Sequence, residues 1–366
     1  MQPLVSIVIP AYNGADQLRR AIPMLDRQTY ANTEIMVVDD GSTDETPAAL
    51  AELARVRPRL RHLRRDNGGA GAARNQGVAE ARGGFIAFLD CDDLWPDNAI
   101  EARMAPLLAE DDPEVMGVYC PADIVDEQGG RILENPLFDY AQPFDRLYFT
   151  SVMGSLFNPS CVIIKKSAFN RVGGFRQELS PAEDFDLWQR MLRTGGCFLK
   201  VSTCRVGWVQ HPASTVHKRL THHCAQCVEV IDQLYSGSEP GPWLPEFSGP
   251  LGEVLARRER SNFAFGPALM AAVTGSPETA RAIAERISLP FVKLLPVDRL
   301  LWLVRFNILR ALCRSESEWP QVWPGVAAHI LAFLNDLNER LGGCRNLREL
   351  VARLEVLPAQ EGRSCA

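Results

Sequence analysis

The 366-residue chain has no run of about 18 consecutive apolar residues, the length a helix needs to cross a bilayer. Its most apolar part, residues 289 to 312, is interrupted by Lys293, Asp298, Arg299 and Arg305. A membrane-spanning helix is therefore excluded, while contact with a membrane surface stays open. The first ten residues, Met-Gln-Pro-Leu-Val-Ser-Ile-Val-Ile-Pro, lack the basic region and long apolar stretch of a signal peptide and read as the approach to a strand. There is no excess of positive charge: 39 Lys and Arg against 45 Asp and Glu leave −6, which argues against nucleic acid as a partner. Nor is there a dense cysteine framework. The ten cysteines, at 91, 120, 161, 197, 204, 224, 227, 313, 344 and 365, are scattered, and a reduced, cytoplasmic compartment suits them. Repeats and low-complexity tracts are missing too. With 46% hydrophobic and 23% charged residues the chain is an ordinary globular one, neither disordered nor fibrous.

What is present is an alternation of short Val- and Ile-rich runs with helix-like segments over the first 120 residues, the pattern of a mostly parallel sheet covered on both faces. Strands are expected at Val5 to Ile9, Glu34 to Val38, Leu60 to Leu63, Phe85 to Leu89 and Val115 to Tyr119, with Cys161 to Lys165 joining the sheet. Helices are expected near Asp16 to Arg27, Thr46 to Val56, Gly71 to Ala81 and Asn98 to Leu108. Ser42-Thr43-Asp44-Glu45 and Ser180-Pro181-Ala182-Glu183 carry helix-start signals, the second placing a helix start at Ser180. From about residue 225 the periodicity is helical throughout. The length suits two domains, and the reading is an α/β domain over 1–235, a Pro- and Gly-rich linker over 236–250 and an α-helical C-terminal region over 251–366.

Three expected strands end in unusual polar residues: Tyr12-Asn13, Asp39-Asp40-Gly41-Ser42 and Asp90-Cys91-Asp92-Asp93. In open α/β sheets ligands bind outside the carboxyl ends of strands, so groups far apart in sequence can line one cleft. Asp90 and Asp92 are two apart, so an extended chain points both carboxylates the same way. Like charges that close repel unless a cation neutralises them, and a few hard oxygen ligands with room for phosphates suit Mg²⁺ or Mn²⁺ better than zinc.

Five segments, Ser6-Ile-Val-Ile-Pro-Ala-Tyr-Asn13, Val37-Val-Asp-Asp-Gly-Ser-Thr-Asp44, Asn67-Gly-Gly-Ala-Gly-Ala-Ala-Arg-Asn75, Phe88-Leu-Asp-Cys-Asp-Asp-Leu-Trp-Pro96 and Glu183-Asp-Phe-Asp-Leu-Trp188, resemble in order and spacing the family 2 glycosyltransferases of the GT-A fold. The resemblance covers roughly residues 3 to 220. It implies an inverting enzyme that moves a sugar from a nucleotide sugar, a UDP-sugar in the first instance, to an acceptor hydroxyl in polysaccharide or glycoconjugate synthesis. Carried over residue by residue, Pro10, Tyr12, Asp39, Asp40, Arg74 and Asp90 match nucleotide-binding positions. Tyr12 would stack on the base, Asp40 would accept its imide hydrogen and Arg74 would lie near the diphosphate. Asp92 and His211 match metal positions, Asp93 and Glu183 donor-sugar positions, and Asp184 the general base. Such a base is needed because a sugar hydroxyl is a poor nucleophile, and a place in the first turn of a helix favours its ionised form. The chain departs from the family pattern at Val209, where an Arg is usual.

Other readings fare less well. The glycines at 68, 69 and 71 do not form a dinucleotide fingerprint, since Arg74 stands at the third position. His222-His223-Cys224-Ala-Gln-Cys227 is half a zinc site with no second half at finger spacing. A sugar-nucleotide nucleotidyltransferase would need a basic phosphate loop after the first strand, which Tyr12-Asn13-Gly14-Ala15-Asp16 does not supply. A catalytically silent nucleotide-sugar binding protein would not need Asp184. Trp95 and Pro96 are expected to pack the loop after the acidic cluster, and Leu187, Trp188, Met191 and Leu192 to form the core face of the base-bearing helix. Residues 299 to 314 combine Trp and Leu with four arginines, which suits either a packing helix or one lying peripherally on the inner face of a membrane. The C-terminal region could equally serve a homodimer or an acceptor, which may be read neither as glycan, lipid-linked nor protein from these residues.

Overall fold

A computed structural model describes residues 2–134, 158–210, 220–236, 249–312 and 314–360. The chain forms two compact units that divide between Val209 and Gln210.

The first unit is built on β1 (Val5–Ala11), β2 (Thr33–Asp39), β3 (Leu60–Arg64), β4 (Phe85–Phe88), β5 (Val115–Tyr119), β8 (Val162–Lys165) and β9 (Cys197–Lys200), in the order β3-β2-β1-β4-β8-β5-β9. All neighbours run parallel except β8, which is antiparallel to both β4 and β5. β1 and β2 are apolar almost end to end, and Ile7, Val8, Ile35 and Val37 are buried, as befits strands covered on both faces. The covering helices are α1 (Ala15–Asp26), α2 (Thr46–Arg55), α3 (Ala70–Glu80), α4 (Ala99–Ala109), the short α5 (Lys166–Arg171) and α6 (Glu183–Arg193). α3 lies close on β1 because Gly77 has no side chain: a Cβ there would stand 2.4 Å from Val8 Cγ1.

Every expected strand and helix of the first 120 residues is present, and Cys161 to Lys165 does join the sheet. A second, three-stranded sheet was not expected: β6 (Ala122–Val125) pairs with β7 (Arg131–Glu134) and with β10 (Val206–Val209). Its strands are four residues long, too short for alternation to announce them.

The strand order places the chemistry. From β1 the chain winds through β2 and β3 on one side, then crosses to β4 on the other. The reversal leaves a crevice at the carboxyl ends of β1 and β4, where open sheets bind ligands. Pairing between β1 and β4 stops at Val8 with Phe88, apart from a last bond from Leu89 N to Val8 O. Pro10, which has no N–H to donate, lies beyond that point and costs the ladder nothing.

The second unit contains α7 (Leu220–Tyr235), α8 (Gly249–Val273), α9 (Pro277–Ala284), α10 (Leu289–Leu294), α11 (Val297–Ala311), α12 (Trp319–Arg340) and α13 (Arg345–Gln360). The region is helical as expected, but α7 belongs to it rather than to the α/β domain that was drawn to residue 235. The reason is its bonding to α8: Tyr235 Oη donates to Glu259 Oε1 at 2.8 Å, and Asp232 pairs with Arg260. Most of the expected linker, 237–248, lies outside the described residues. On α11, Leu300, Val304, Phe306, Ile308 and Leu309 are buried, while Leu301, Trp302 and Leu303 are partly exposed. No helix among the described residues is long and apolar enough to cross a membrane. Cys224 and Cys227 are buried.

Candidate active site

The tips of β1 and β2 are knitted together first. Asn13 takes a positive φ of 50°, a conformation that its short polar side chain tolerates. Its N–H donates to Ser42 Oγ at 2.9 Å, its Oδ1 accepts from Thr43 N at 2.8 Å, and Gly14 N donates to Thr46 Oγ1 at 2.9 Å. Ser42 is thus used across the cleft rather than as a helix cap, and α2 has no side-chain N-cap bond at all. Beside this clasp the Tyr12 ring is 53% exposed, an open apolar face at the crevice mouth.

Asp39 and Asp40 are both buried. Asp39 accepts from Ser42 N at 2.9 Å and from Arg64 at 3.2 Å, which shapes the turn after β2. The Asp40 carboxylate accepts from Gly68 N at 3.0 Å and Gly69 N at 2.7 Å and pairs with Arg65 Nε at 3.1 Å. It thus meets the positive end of α3, where N–H groups would otherwise lack partners. Gly69, with φ at 86°, makes the turn that aims these N–H groups.

Arg74 on α3 is the hub. It is 4% exposed, donates to Asp90 Oδ1 at 2.6 Å and to Glu183 Oε1 at 3.0 Å, and lies over the Phe175 ring. Burial opposes its charge, but the attraction of Asp90 and Glu183 outweighs that, and its pKa rises above the ordinary value. Two elements about ninety residues apart in sequence, the turn after β4 and the start of α6, are thereby tied to one guanidinium. Glu183 is itself buried, and its Oε2 has no hydrogen-bond partner among the described residues.

α6 begins at Glu183 rather than Ser180, with Ala182 as N-cap and no side-chain cap bond. Asp184 still falls in the first turn, and its Oδ1 accepts from Phe185 N at 2.7 Å. The helix terminus was expected to favour its ionised form. Burial and the adjacent Glu183 charge win instead: against the opposing pull of Arg74 and of the Phe185 N–H, the Asp184 carboxyl is pushed up to about 7. A carboxylate that takes and gives a proton near neutrality is suited to general base work.

The turn after β4 supplies Asp90, Asp92 and Asp93. Cys91 Sγ packs 3.2 Å from where a Cβ on Gly14 would stand, so this turn abuts the end of β1. Asp93 departs from the expected donor-sugar role. It is 2% exposed and faces inward: Oδ2 accepts from Ser160 Oγ at 2.6 Å and Asn158 Nδ2 at 3.1 Å, and Oδ1 from Val209 N at 3.0 Å. Burial, then Asp92 and Asp90, raise the Asp93 carboxyl well above the usual range, and the same forces push up the Cys91 thiol. Three carboxylates thus stand within four residues, with Arg74 paired to Asp90, and a divalent cation is a group that such a cluster can hold. Half-buried Asp92, with Asp90 beside it, fits the one or two carboxylates by which Mg²⁺ is held together with substrate phosphates.

Arg74, Asp90 and Glu183 thus share ion pairs, Asp93 is tied to Asp90 through Ser160, and Asp184 adjoins Glu183. Tyr12, Asp39 and Asp40 stand at the ends of the neighbouring strands β1 and β2, with Pro10 near the end of β1. His211 lies outside the described residues. Arg65, Asn158 and Ser160 were not foreseen, and no motif marks them. Trp95 is buried as expected and donates from Nε1 to Ser160 O at 2.8 Å.

A sheet wound this way, with an acidic turn after β4 and the Glu183-Asp184 pair at the start of α6 tied to it through Arg74, is the GT-A arrangement of a sugar-transferring enzyme. Comparison with known proteins gives the family: the sequence profile of glycosyl transferase family 2 matches residues 6–173, and an uncharacterized glycosyltransferase of Rickettsia typhi is 31% identical over 236 residues, 64% of this chain and 71% of its own. The chain belongs to glycosyl transferase family 2. Chondroitin synthase of Escherichia coli is 31% identical over 235 residues, 64% of this chain but 33% of that much longer protein. In fold the chain is similar to S. aureus TarS 1-349 in complex with UDP-GlcNAc, with a TM-score of 0.60, 17% identity and 93% and 92% of the two chains covered. It is similar also to a Pyrobaculum calidifontis mannosyltransferase in complex with GDP-Man and Mn²⁺, with a TM-score of 0.55, 20% identity and 91% and 86% covered.

Proposed function

We propose that this glycosyltransferase moves a sugar from a UDP-sugar to a hydroxyl of a glycan acceptor with inversion at the anomeric carbon, in polysaccharide or glycoconjugate synthesis. The observation that carries this reading is Asp184: a carboxyl pushed up to about 7, one residue from the Glu183 that Arg74 ties to the acidic turn. Asp184 takes the proton of the acceptor hydroxyl as the oxygen bonds the anomeric carbon, opposite the departing diphosphate, and that opposition gives inversion. Tyr12 stacks on the base, and Asp39 and Asp40 hold the backbone walls of its pocket. Glu183 Oε2, buried and without a partner among the described residues, accepts from a donor-sugar hydroxyl. Asp92, with Asp90, would hold Mg²⁺ or Mn²⁺, and such an ion would stabilise the charge that develops on the leaving diphosphate. Arg74 keeps Asp90 and the start of α6 at a set distance. The glycan acceptor is supported by the likeness to chondroitin synthase, and a cytoplasmic setting by the scattered thiols.

The test is a screen of UDP- and GDP-sugars with Mn²⁺ or Mg²⁺ and oligosaccharide acceptors, scored by released nucleoside diphosphate. Turnover with a UDP-sugar that disappears in Asp184→Asn supports the reading. Turnover that survives that change removes the base, and turnover with GDP-sugars alone removes the donor.

A further inference from the structure

The acidic turn is held by a residue that is neither acidic nor part of any motif. β8 runs antiparallel to β4, so the residues just before it, a single 3₁₀ turn at Pro159–Cys161, arrive at the carboxyl end of β4. There Ser160 is fully buried. Its Oγ accepts from Asp90 N at 3.0 Å and donates to Asp93 Oδ2 at 2.6 Å. A hydroxyl has one proton to give, and since Asp90 N can only donate, that proton goes to Asp93. One side chain thus grips both ends of the four-residue turn, whose own closing bond runs from Asp93 N to Asp90 O at 3.0 Å.

Ser160 is anchored in turn from every side. Its carbonyl accepts from Trp95 Nε1 at 2.8 Å and from Arg103 at 3.0 Å, and its N–H donates to Asn158 Oδ1 at 2.8 Å. Arg103 is itself fully buried and lies over the Trp95 ring, 4.3 Å from its centroid. Asn158 Nδ2 adds a second bond to Asp93 Oδ2 at 3.1 Å. Between the two gripped residues stand Cys91 and Asp92.

We propose that Ser160 is a positioning residue for the cation and diphosphate site: it fixes the peptide frame from which Asp92 is presented. The inference rests on the metal role given to Asp92 above. Residues that orient a ligand through hydrogen bonds typically change metal affinity about 10- to 100-fold when removed, and a frame that loosens weakens binding of the cation with the nucleotide before it touches proton transfer.

The experiment is calorimetric titration of UDP and GDP into the wild type, Ser160→Ala, Ser160→Thr and Asn158→Ala, with Mn²⁺ and again in excess EDTA, beside thermal unfolding. For whichever nucleotide binds the wild type, the expected result is a Mn²⁺-dependent gain in affinity that falls about 10- to 100-fold in Ser160→Ala. Ser160→Thr, which keeps the hydroxyl, stays nearer the wild type, Asn158→Ala loses a smaller part, and binding in EDTA is alike in all. A Mn²⁺-dependent gain fully retained in Ser160→Ala overturns the proposal, as does a loss of equal size in EDTA, which would mean a collapsed pocket. Should Ser160→Ala fail to fold, an unchanged gain in Asn158→Ala overturns it. A wild type with no Mn²⁺-dependent gain refutes the metal reading itself, a different outcome from the first.

Discussion

Replacing Asp184 with Asn should separate stability from activity. Asn keeps the shape and the acceptor for Phe185 N, bonded at 2.7 Å, but cannot ionise. The carboxyl stands at about 7 in the folded protein against 3.8 ordinarily. A carboxyl raised by folding contributes stability that is fully present below its unfolded pKa and lost as pH rises through its folded one. The wild type therefore gives up stability between about pH 4 and 7 and carries the full cost above pH 7. A shift of about three units at about 1.4 kcal/mol each sets a ceiling of about 4 kcal/mol. Asp184 is only half-buried, and solvent screening brings the expected gain at pH 8 to about 1–2 kcal/mol, or a rise in Tm of a few degrees. Thermal unfolding of both proteins at pH 4, 6 and 8 reads this directly: the curves should converge at pH 4 and part at pH 8. Turnover should move the opposite way, falling about 10²- to 10⁴-fold in the variant, while wild-type kcat rises with pH to a plateau above about 7. An Asp184→Asn protein less stable than the wild type at pH 8, or a wild-type profile with its acid limb near pH 4, would show that the charge is not opposed as argued.

Other expectations follow from the same site. Asp92→Asn should abolish any Mn²⁺-dependent increment in nucleotide affinity while leaving binding in EDTA untouched, which titration calorimetry will show. Tyr12→Ala, at a ring 53% exposed, should cost about 1–3 kcal/mol of nucleotide binding and leave the melting temperature alone, stacking being worth about that much per base. Gly77→Ala should destabilise the first unit by about 1–3 kcal/mol through overpacking, because the new Cβ would lie 2.4 Å from Val8 Cγ1, and chemical denaturation measures it.

The apolar runs of β1, β2 and β4 and the helices between them were legible because period and burial are local properties: a strand covered on both faces has to be apolar throughout, wherever it lies. The polar tips were legible for a related reason. Tyr12, Asp40 and Asp92 stand just beyond apolar strands, and in an open sheet those ends share an edge, whereas Asp184 was marked only by its segment at a helix start. What each tip does could not be read the same way. Asp93 looks like its neighbours in the chain, yet it turns inward, because Ser160 and Val209 bring buried N–H and O–H groups that only a carboxylate in that position can satisfy. The helix-end argument for Asp184 was sound but incomplete, since the Glu183 charge and burial outweigh the terminus. Ser160 carried no signal whatever, being a lone hydroxyl 70 residues from Asp90. Local pattern is set by the chain's own neighbours, and that much the 366 residues determined alone. Which carboxylate faces the crevice and which braces it depends on donors supplied from distant segments, and only the folded sheet, with β8 running backwards beside β4, decides that.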